Sequence, residues 1–356
     1  MAVTMSDVAL RAGVSLKTVS NVVNGHRYLR PETKALVEKA IVELGYRVNT
    51  SARDLRRGRT ATILLALSEL RNPYFAELAE LIIAAAERRG LGVLVDHHRM
   101  DAERERAVLD GGRTRQVDGV IYSPVSLGQE EASLFRVGFP LVVLGDTIFD
   151  PPVDHVSLQN VEGARAAVAH LIDQGCSKIA LLGVDPHGDG RPGSATLRLK
   201  GARQALEAAG LSLDPTLLVP ARPWYRSTGA QAVADMLDAG IRPDGIFALN
   251  DVLGLGALHE LLSRNIRVPE DIALVGFDNI DDTLYSRPSL TTIDPGREQI
   301  AELALSMLCE RMGLDADGVP TKTPEAVDLP PREVFTRFEL VVRETSRATR
   351  EGVNSQ

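Results

Sequence analysis

Polar and aromatic side chains stand at the ends of several short aliphatic runs in this chain. Asn72 to Phe75, His97, Ser123, Asp146, Asn250 with Asp251, and Asp278 follow Thr62–Leu67, Gly92–Asp96, Gly119–Tyr122, Leu141–Leu144, Ile246–Leu249 and Ala273–Phe277. Ligands of parallel α/β sheets bind beyond the carboxyl ends of the strands, which is where these residues fall. Carboxylates and amides can accept and donate hydrogen bonds to paired hydroxyl groups, and an aromatic ring can cover the apolar face of a sugar ring. A single aspartate at a strand end is more often a helix cap. Several converging on one cleft point to a polyhydroxylated ligand.

A second group lies near the N-terminus. Asp7 to Gly25 reads as helix, tight turn, helix, with Gly13 at the turn, where a positive φ strains glycine little. Ser15 can cap the second helix. Val19, Val22 and Val23 form one apolar face, while Lys17, Ser20, Asn21 and Asn24 follow the same spacing on the other. An outward row of hydrogen-bonding side chains on a short helix fits the major groove of DNA, although an ordinary two-helix corner has the same pattern.

Other chemistry finds little support. Gly188 to Gly193 formally matches G-x-G-x-x-G, but Pro192 interrupts the junction, and the acid about twenty residues on, Glu207, lies in an Ala-rich helix. His97, His98 and Asp101 could suggest a metal, yet adjacent residues of a strand face opposite ways. No G-x-S-x-G, H-E-x-x-H or Walker pattern occurs. The expectation is a protein without catalytic residues, cofactor or metal. The only two cysteines, Cys176 and Cys309, sit in apolar surroundings and read as buried thiols.

These side chains need scaffolds to hold them. The chain has 356 residues, enough for more than one domain. Its net charge of −8 is unevenly divided: residues 1–59 carry 11 basic and 5 acidic side chains, and all the rest is acidic in balance. A basic head on an acidic body suits a DNA-binding module fused to something else. In the head, Thr4 to Asp7 makes a capping box that starts the first helix at Met5. Pro31 opens a third helix with Leu36, Val37, Ala40, Ile41 and Leu44 inward, and Gly45 ends it. Residues 49–60 are basic with one large apolar residue, Leu55; the segment can be a linker, or it can become helical on DNA with Leu55 wedged into the minor groove.

Beyond Thr62 the strands named above alternate with helices such as Phe75–Arg89, Ala102–Arg115, Gly163–Gln174, Ala195–Ala209, Gly229–Ala239 and Leu253–Ser263; two more strands fall near Ile179–Gly183 and Leu217–Val219. Repeated β-α units imply parallel sheets covered by helices on both faces. Two lobes with a cleft between them are the natural division of so long a pattern, with a crossing near Asp150–Pro152. No apolar run approaches a membrane span and no secretory signal is evident, so a cytoplasmic protein is expected.

The runs GVSLKTVSNVVNG, RPETKALVEKAIVELGY and ARDLRRGRT between Thr4 and Thr60 resemble the LacI/GalR family of bacterial transcriptional regulators. The likeness extends over nearly the whole body, in NPYFAEL from Asn72, VDG from Val117, LNDVLGLGAL from Leu249, VPEDIALVGFDN from Val268 and PSLTTI from Pro288. It implies a small all-α helix-turn-helix domain (1–48), a hinge (49–60), a two-lobed periplasmic-binding-protein-like α/β domain (61–343) and a disordered tail (344–356). It places Leu16, Lys17, Thr18, Ser20, Asn21 and Asn24 toward the bases and Ala52, Arg53 and Leu55 at the minor groove. It places Tyr74, Phe75, Ser123, Asp146, Arg198, Trp224, Asn250 and Asp278 around an effector. The implied partners are operator DNA, a small carbohydrate-like effector and a second copy, with the Phe75–Arg89 helix contributing to the dimer. Arg30 stands at a usual serine cap, Val48 at a frequent proline, and Asp54 adds negative charge to the hinge; Cys176, His97-His98 and the Val184–Gly193 loop depart around the cleft. A core answering to a protein partner, or a solute-binding protein, are the other readings.

Overall fold

The computed structural model describes residues 3–23, 29–46, 59–112, 116–185, 193–321 and 329–346. The chain forms two compact units, Met1–Thr60 and Ala61–Gln356.

In the first unit, helix α1 (Met5–Ala12) begins with the expected capping box: Thr4 N donates to Asp7 Oδ2 at 2.8 Å and Asp7 N to Thr4 Oγ1 at 3.3 Å. Gly13, at φ +67°, turns the chain into α2 (Leu16–Val23), where Ser15 Oγ accepts from Thr18 N at 3.1 Å. Helix α3 (Pro31–Leu44) starts without a side-chain cap, since Arg30 has no acceptor to offer, and it ends at Gly45 in the left-handed region. Val8, Ala9, Val19, Val22, Val37, Ala40 and Tyr46 make the core. Leu36, expected inside, is 55% exposed, whereas the rest of the expected stripe faces the core, Val37 and Ala40 buried and Ile41 and Leu44 packed against them.

Among the described residues, the second unit holds two six-stranded sheets. The first contains β1 (Thr62–Leu67), β2 (Gly92–His97), β3 (Gly119–Tyr122), β4 (Leu141–Leu144), β5 (Asp154–Ser157) and β11 (Glu333–Phe335) in the order β11-β5-β4-β3-β1-β2, all parallel. The second contains β6 (Ile179–Val184), β7 (Leu218–Pro220), β8 (Gly245–Ala248), β9 (Ala273–Phe277), β10 (Thr291–Asp294) and β12 (Glu339–Val341) in the order β12-β10-β9-β8-β6-β7, parallel except at β12. Helices α4 (Pro73–Arg88) and α5 (Ala102–Leu109) cross over within the first lobe. Helices α6 (Asn160–Asp173), α7 (Ser194–Ala208), α8 (Arg226–Asp238), α9 (Asp251–Ser263) and the short α10 (Asp282–Tyr285) belong to the second.

The crossing lies later than Asp150–Pro152. The chain first builds β5 in the first sheet and passes to the second lobe through Leu158 and Gln159. The sequence hides β5 because Asp154, His155 and Ser157 are polar and yet buried. Arg311 and Arg332 hold Asp154 at 2.8 and 2.9 Å, so a carboxylate replaces an aliphatic side chain in a strand. Two further passages follow, at Pro295–Gly296 into α11 (Arg297–Arg311), which packs on the first sheet, and between β11 and β12. The first residues of the expected tail, Glu344 to Ser346, belong to the body. Leu274 N donates to Thr345 O at 2.8 Å, and buried Ser346 shares hydrogen bonds with His170 and Thr291.

Candidate functional site

The outer face of α2 presents the head's surface chemistry. Val19 and Val22 are buried, whereas Leu16 and Lys17 are exposed and Thr18, Ser20 and Asn21 half-buried. Thr18 Oγ1 lies 2.8 Å from Ser15 Oγ, so this hydroxyl helps close the helix start. Asn24, Ala52, Arg53 and Leu55 lie outside the described residues.

In the body, the strand ends converge. Asn72 Oδ1 accepts from Tyr74 N at 3.1 Å, capping α4 and setting Tyr74 and Phe75 edge to face at 5.2 Å. Burial raises the Tyr74 hydroxyl pKa well above its ordinary value, and the nearby Asp278 and Asp146 carboxylates raise it further. Both carboxylates thus act on one side chain although they come from opposite lobes. Asp146 is buried; it accepts from Ser194 Oγ of the second lobe at 3.0 Å and from Leu158 N at 3.4 Å. Burial pushes its carboxyl upward, and Arg198 opposes the rise. Ser123, also buried, follows β3 beside Asp146 in the first lobe.

Arg198, at 3% exposure, is the centre of the second lobe's wall. Its Nε donates to Asn160 Oδ1 at 2.8 Å, Nη1 to Leu249 O, and Nη2 to Asp278 Oδ1 at 3.4 Å. The guanidinium carbon lies 3.6 Å from the Phe277 ring centroid and 5.8 Å from that of Trp224. Trp224 is fixed by its own Nε1, which donates to Gly183 O at 3.0 Å. Asn250 caps α9 by accepting from Leu253 N at 2.9 Å, and its buried Nδ2 has no hydrogen-bond partner among the described residues.

Asp278 sits at φ +116°, followed by Asn279 at +51°, a strained pair of non-glycine residues. Asp251 holds this turn from behind. Its Oδ2 accepts from Ile280 N at 3.0 Å and its Oδ1 from Thr292 Oγ1 at 2.6 Å. Gly276 makes room, because a Cβ there would meet Asp251 Oδ1 at 2.1 Å. Burial pushes Asp278 up to about 6, against the pull of Arg198 and Arg297. Burial, and then repulsion from Asp278, pushes Asp251 up to about 7.

Contacts also join the lobes at other points. Tyr225 OH donates to Glu69 Oε2 at 3.0 Å, and Arg71 lies 4.3 Å from the Tyr225 ring centroid. Glu77 of α4 accepts from Asp281 N at 3.1 Å and pairs with Arg297.

Tyr74, Asp146, Arg198, Trp224 and Asp278 thus meet, with Phe75 packed on Tyr74 and Asn250 next in the chain to Leu249, whose carbonyl Arg198 holds. His97 does not join them; it ends edge strand β2, half-exposed. Buried His98 faces Glu105 at 3.0 Å through Nδ1 and Ser123 O at 3.0 Å through Nε2, which gives the histidine pair a structural use. Sequence reasoning missed Asn160 and Ser194, since neither stands at a strand end and each matters only once the lobes face one another.

Comparison with known proteins agrees with both halves of this arrangement. Residues 4–49 match the model for bacterial regulatory proteins of the lacI family, and residues 168–345 match a periplasmic binding protein-like domain. The ribose operon repressor of Escherichia coli K12 is 31% identical over 87% of this chain and 93% of its own length. The structure of a LacI-family regulator from Sanguibacter keddieii is 44% identical, covers 80% of this chain and 98% of its own, and has a TM-score of 0.70. A lac repressor dimer bound to operator and an anti-inducer is 26% identical, covers 98% of this chain and 100% of its own, and has a TM-score of 0.78. A helix-turn-helix head and a two-sheet sensor body on one chain, matched along almost its whole length, make this protein a member of the LacI family of bacterial transcriptional regulators.

Proposed function

We propose that the protein is a repressor that binds a pseudo-palindromic operator as a homodimer and is controlled by a small, uncharged, polyhydroxylated molecule, a sugar or sugar derivative, held between its lobes. The observation that carries this reading is the buried set of Asp146, Asp278, Arg198 and Asn250 beside Tyr74 and Trp224. Arg198, the cation of this set, is already paired with Asp278 and faces Asp146 as well, so no free positive charge is left there to bind a phosphorylated or carboxylated ligand. Hydroxyl pairs satisfy such acceptors, and the unpaired Asn250 Nδ2 supplies a donor. The same chain carries a recognition-type helix, with Leu16 suited to a thymine methyl and Lys17 to guanine O6 and N7. Acting on DNA, the protein works in the cytoplasm.

Control follows from linkage. Asp146 belongs to one lobe and Asp278 to the other, so a ligand bridging them favours one lobe geometry by its differential affinity for the two. The helix α4, which carries Tyr74 and Phe75, contacts Asp281 and Arg297 through Glu77 and so feels that geometry.

Calorimetric titration of a panel of neutral monosaccharides and their phosphates, with parallel measurement of binding to DNA upstream of the protein's own gene, tests the reading. The expected result is saturable heat from a neutral sugar and a change in DNA affinity with that sugar present. Tight binding of a phosphorylated sugar alone, or a DNA affinity that no sugar changes, overturns it.

A further inference from the structure

We propose that Asn160 is a specificity-determining residue of the cleft: one end of its amide fixes Arg198, and the other forms with Asp146 a donor–acceptor pair that takes a neutral hydroxyl group. The inference rests on the cleft being the ligand site and adds a residue that the strand-end pattern does not identify.

Asn160 is the first residue of α6, directly after the chain passes from the first lobe to the second, and it is 1% exposed. Its Oδ1 accepts from Arg198 Nε at 2.8 Å. With Nη1 on Leu249 O, Nη2 on Asp278 and the ring of Phe277 beneath, all three guanidinium nitrogens have assigned acceptors. The orientation of Arg198, and hence the charge that Asp278 receives, depends on that first bond. At the other end, Asn160 Nδ2 is buried with no hydrogen-bond partner among the described residues, and the Asn160 side chain is one of the groups that favour the ionised form of Asp146. A buried amide donor next to a buried carboxylate is incompletely satisfied, which carries a free-energy penalty. A hydroxyl between them removes it, because it donates to Asp146 and accepts from Asn160. An ionised oxygen cannot donate to Asp146, and an ammonium cannot accept from Asn160.

The neutral amide is necessary. The charged groups around it are Asp146 after β4, Arg198 on α7 and Asp278 after β9, with Asp251, Arg297 and Glu77 acting on Asp278 and the Tyr74 hydroxyl facing both carboxylates. A carboxylate at 160 would draw Arg198 away from Asp278 and repel Asp146. An aliphatic side chain would leave Arg198 Nε buried and unpaired.

Trp224 is the sole tryptophan and lies 5.8 Å from Arg198, so its fluorescence reports on this cluster in the full-length protein without any ligand. Emission is followed from about pH 4.5 to about pH 8.5 for the parent, Asn160→Asp and Asn160→Leu, with far-ultraviolet circular dichroism as the check on folding. The expected result is a midpoint raised by about 1 pH unit in Asn160→Asp and displaced in Asn160→Leu. Folded variants that titrate within about 0.2 pH units of the parent overturn the hold on Arg198. Should Asn160→Leu fail to fold, Asn160→Ser takes its place. In the second arm D-ribose, D-glucose and D-ribose 5-phosphate are titrated calorimetrically. A neutral sugar that binds the parent is expected to lose about tenfold or more in Asn160→Asp. Equal affinities overturn the hydroxyl pair. If neither sugar binds the parent, the ligand class proposed above fails for these sugars and the hydroxyl pair falls with it, while the fluorescence titration separately decides the hold on Arg198.

Discussion

Burial raises the carboxyls of both Asp278 and Asp251, and Asp278 raises Asp251 further, which has a consequence for stability. Both carboxyls titrate higher in the folded chain, at about 6 and about 7, than the ordinary 3.8 of the unfolded chain. The folded state therefore holds more protons between these values, and stability from this pair is full below pH 3.8 and lost as pH rises through 6 and 7. Replacing Asp278 by Asn removes the charge while retaining an acceptor for Arg198. Urea unfolding should show Asp278→Asn more stable than the parent by on the order of 2 kcal/mol at neutral pH, with the difference fading toward pH 4. A difference independent of pH would show that Asp278 is not protonated by its surroundings. The same substitution should weaken the effector response, the usual exchange of stability for function at a binding site. Asp278 and Asp146 were legible in the sequence because each follows a clear aliphatic run. Asn160 and Ser194 were not, because their meaning comes from partners 38 and 48 positions away in the chain, Arg198 and Asp146.

At the level of elements, regular patterns read well. Strands β1, β3, β4 and β9 are continuous aliphatic runs buried on both faces, and their bounds follow from the sequence within a residue or two. Strands β5, β10, β11 and β12 escaped notice for physical reasons. They are three or four residues long, contain Asp154, His155, Thr291, Thr292, Glu333 or Glu339, and are stabilised by charge pairs and by the returning chain. Glu105 shows the same principle at the cleft. It is fully buried on α5 and accepts from the backbone N–H groups of Val125, Ser126 and Leu127 at 2.8–3.1 Å, with His98 beside it. Burial pushes its carboxyl up, but His98 and then the backbone bonds together outweigh that and hold it below the usual range. One carboxylate thus fixes the loop after Ser123, which neighbours Asp146. Glu105→Ala strands three backbone donors and should lower unfolding free energy by about 3 kcal/mol in chemical denaturation. A loss below about 1 kcal/mol would mean that the loop finds other acceptors.

For the whole molecule, the proposed homodimer is what lets two small heads read one duplex, and the surface of the first lobe supplies a place for it. Sheet order leaves β2 at an edge, where Leu94 and Val95 are 48% and 41% exposed. Met100 after the strand and Leu70 before α4 are 41% and 47% exposed. An open strand edge with outward aliphatic side chains invites pairing, and proteins normally cover such an edge or charge it. A second copy seated there would bury those side chains beside α4, which carries Tyr74, Phe75 and Glu77 of the cleft. The two-fold contact and the ligand would then act on one helix. Leu94→Glu places a charge at this edge without touching the first lobe's core, so the body should remain folded by circular dichroism. Sedimentation at micromolar concentration should then show a monomer where the parent is a dimer. Operator affinity should fall by about 100-fold or more, because the second head loses the high effective concentration that the dimer gives it. Ligand heat should persist, since the cleft is built within one chain. A variant that stays dimeric would place the two-fold contact elsewhere, with Leu284 and Tyr285 of α10, 50% and 70% exposed, as the next surface to charge.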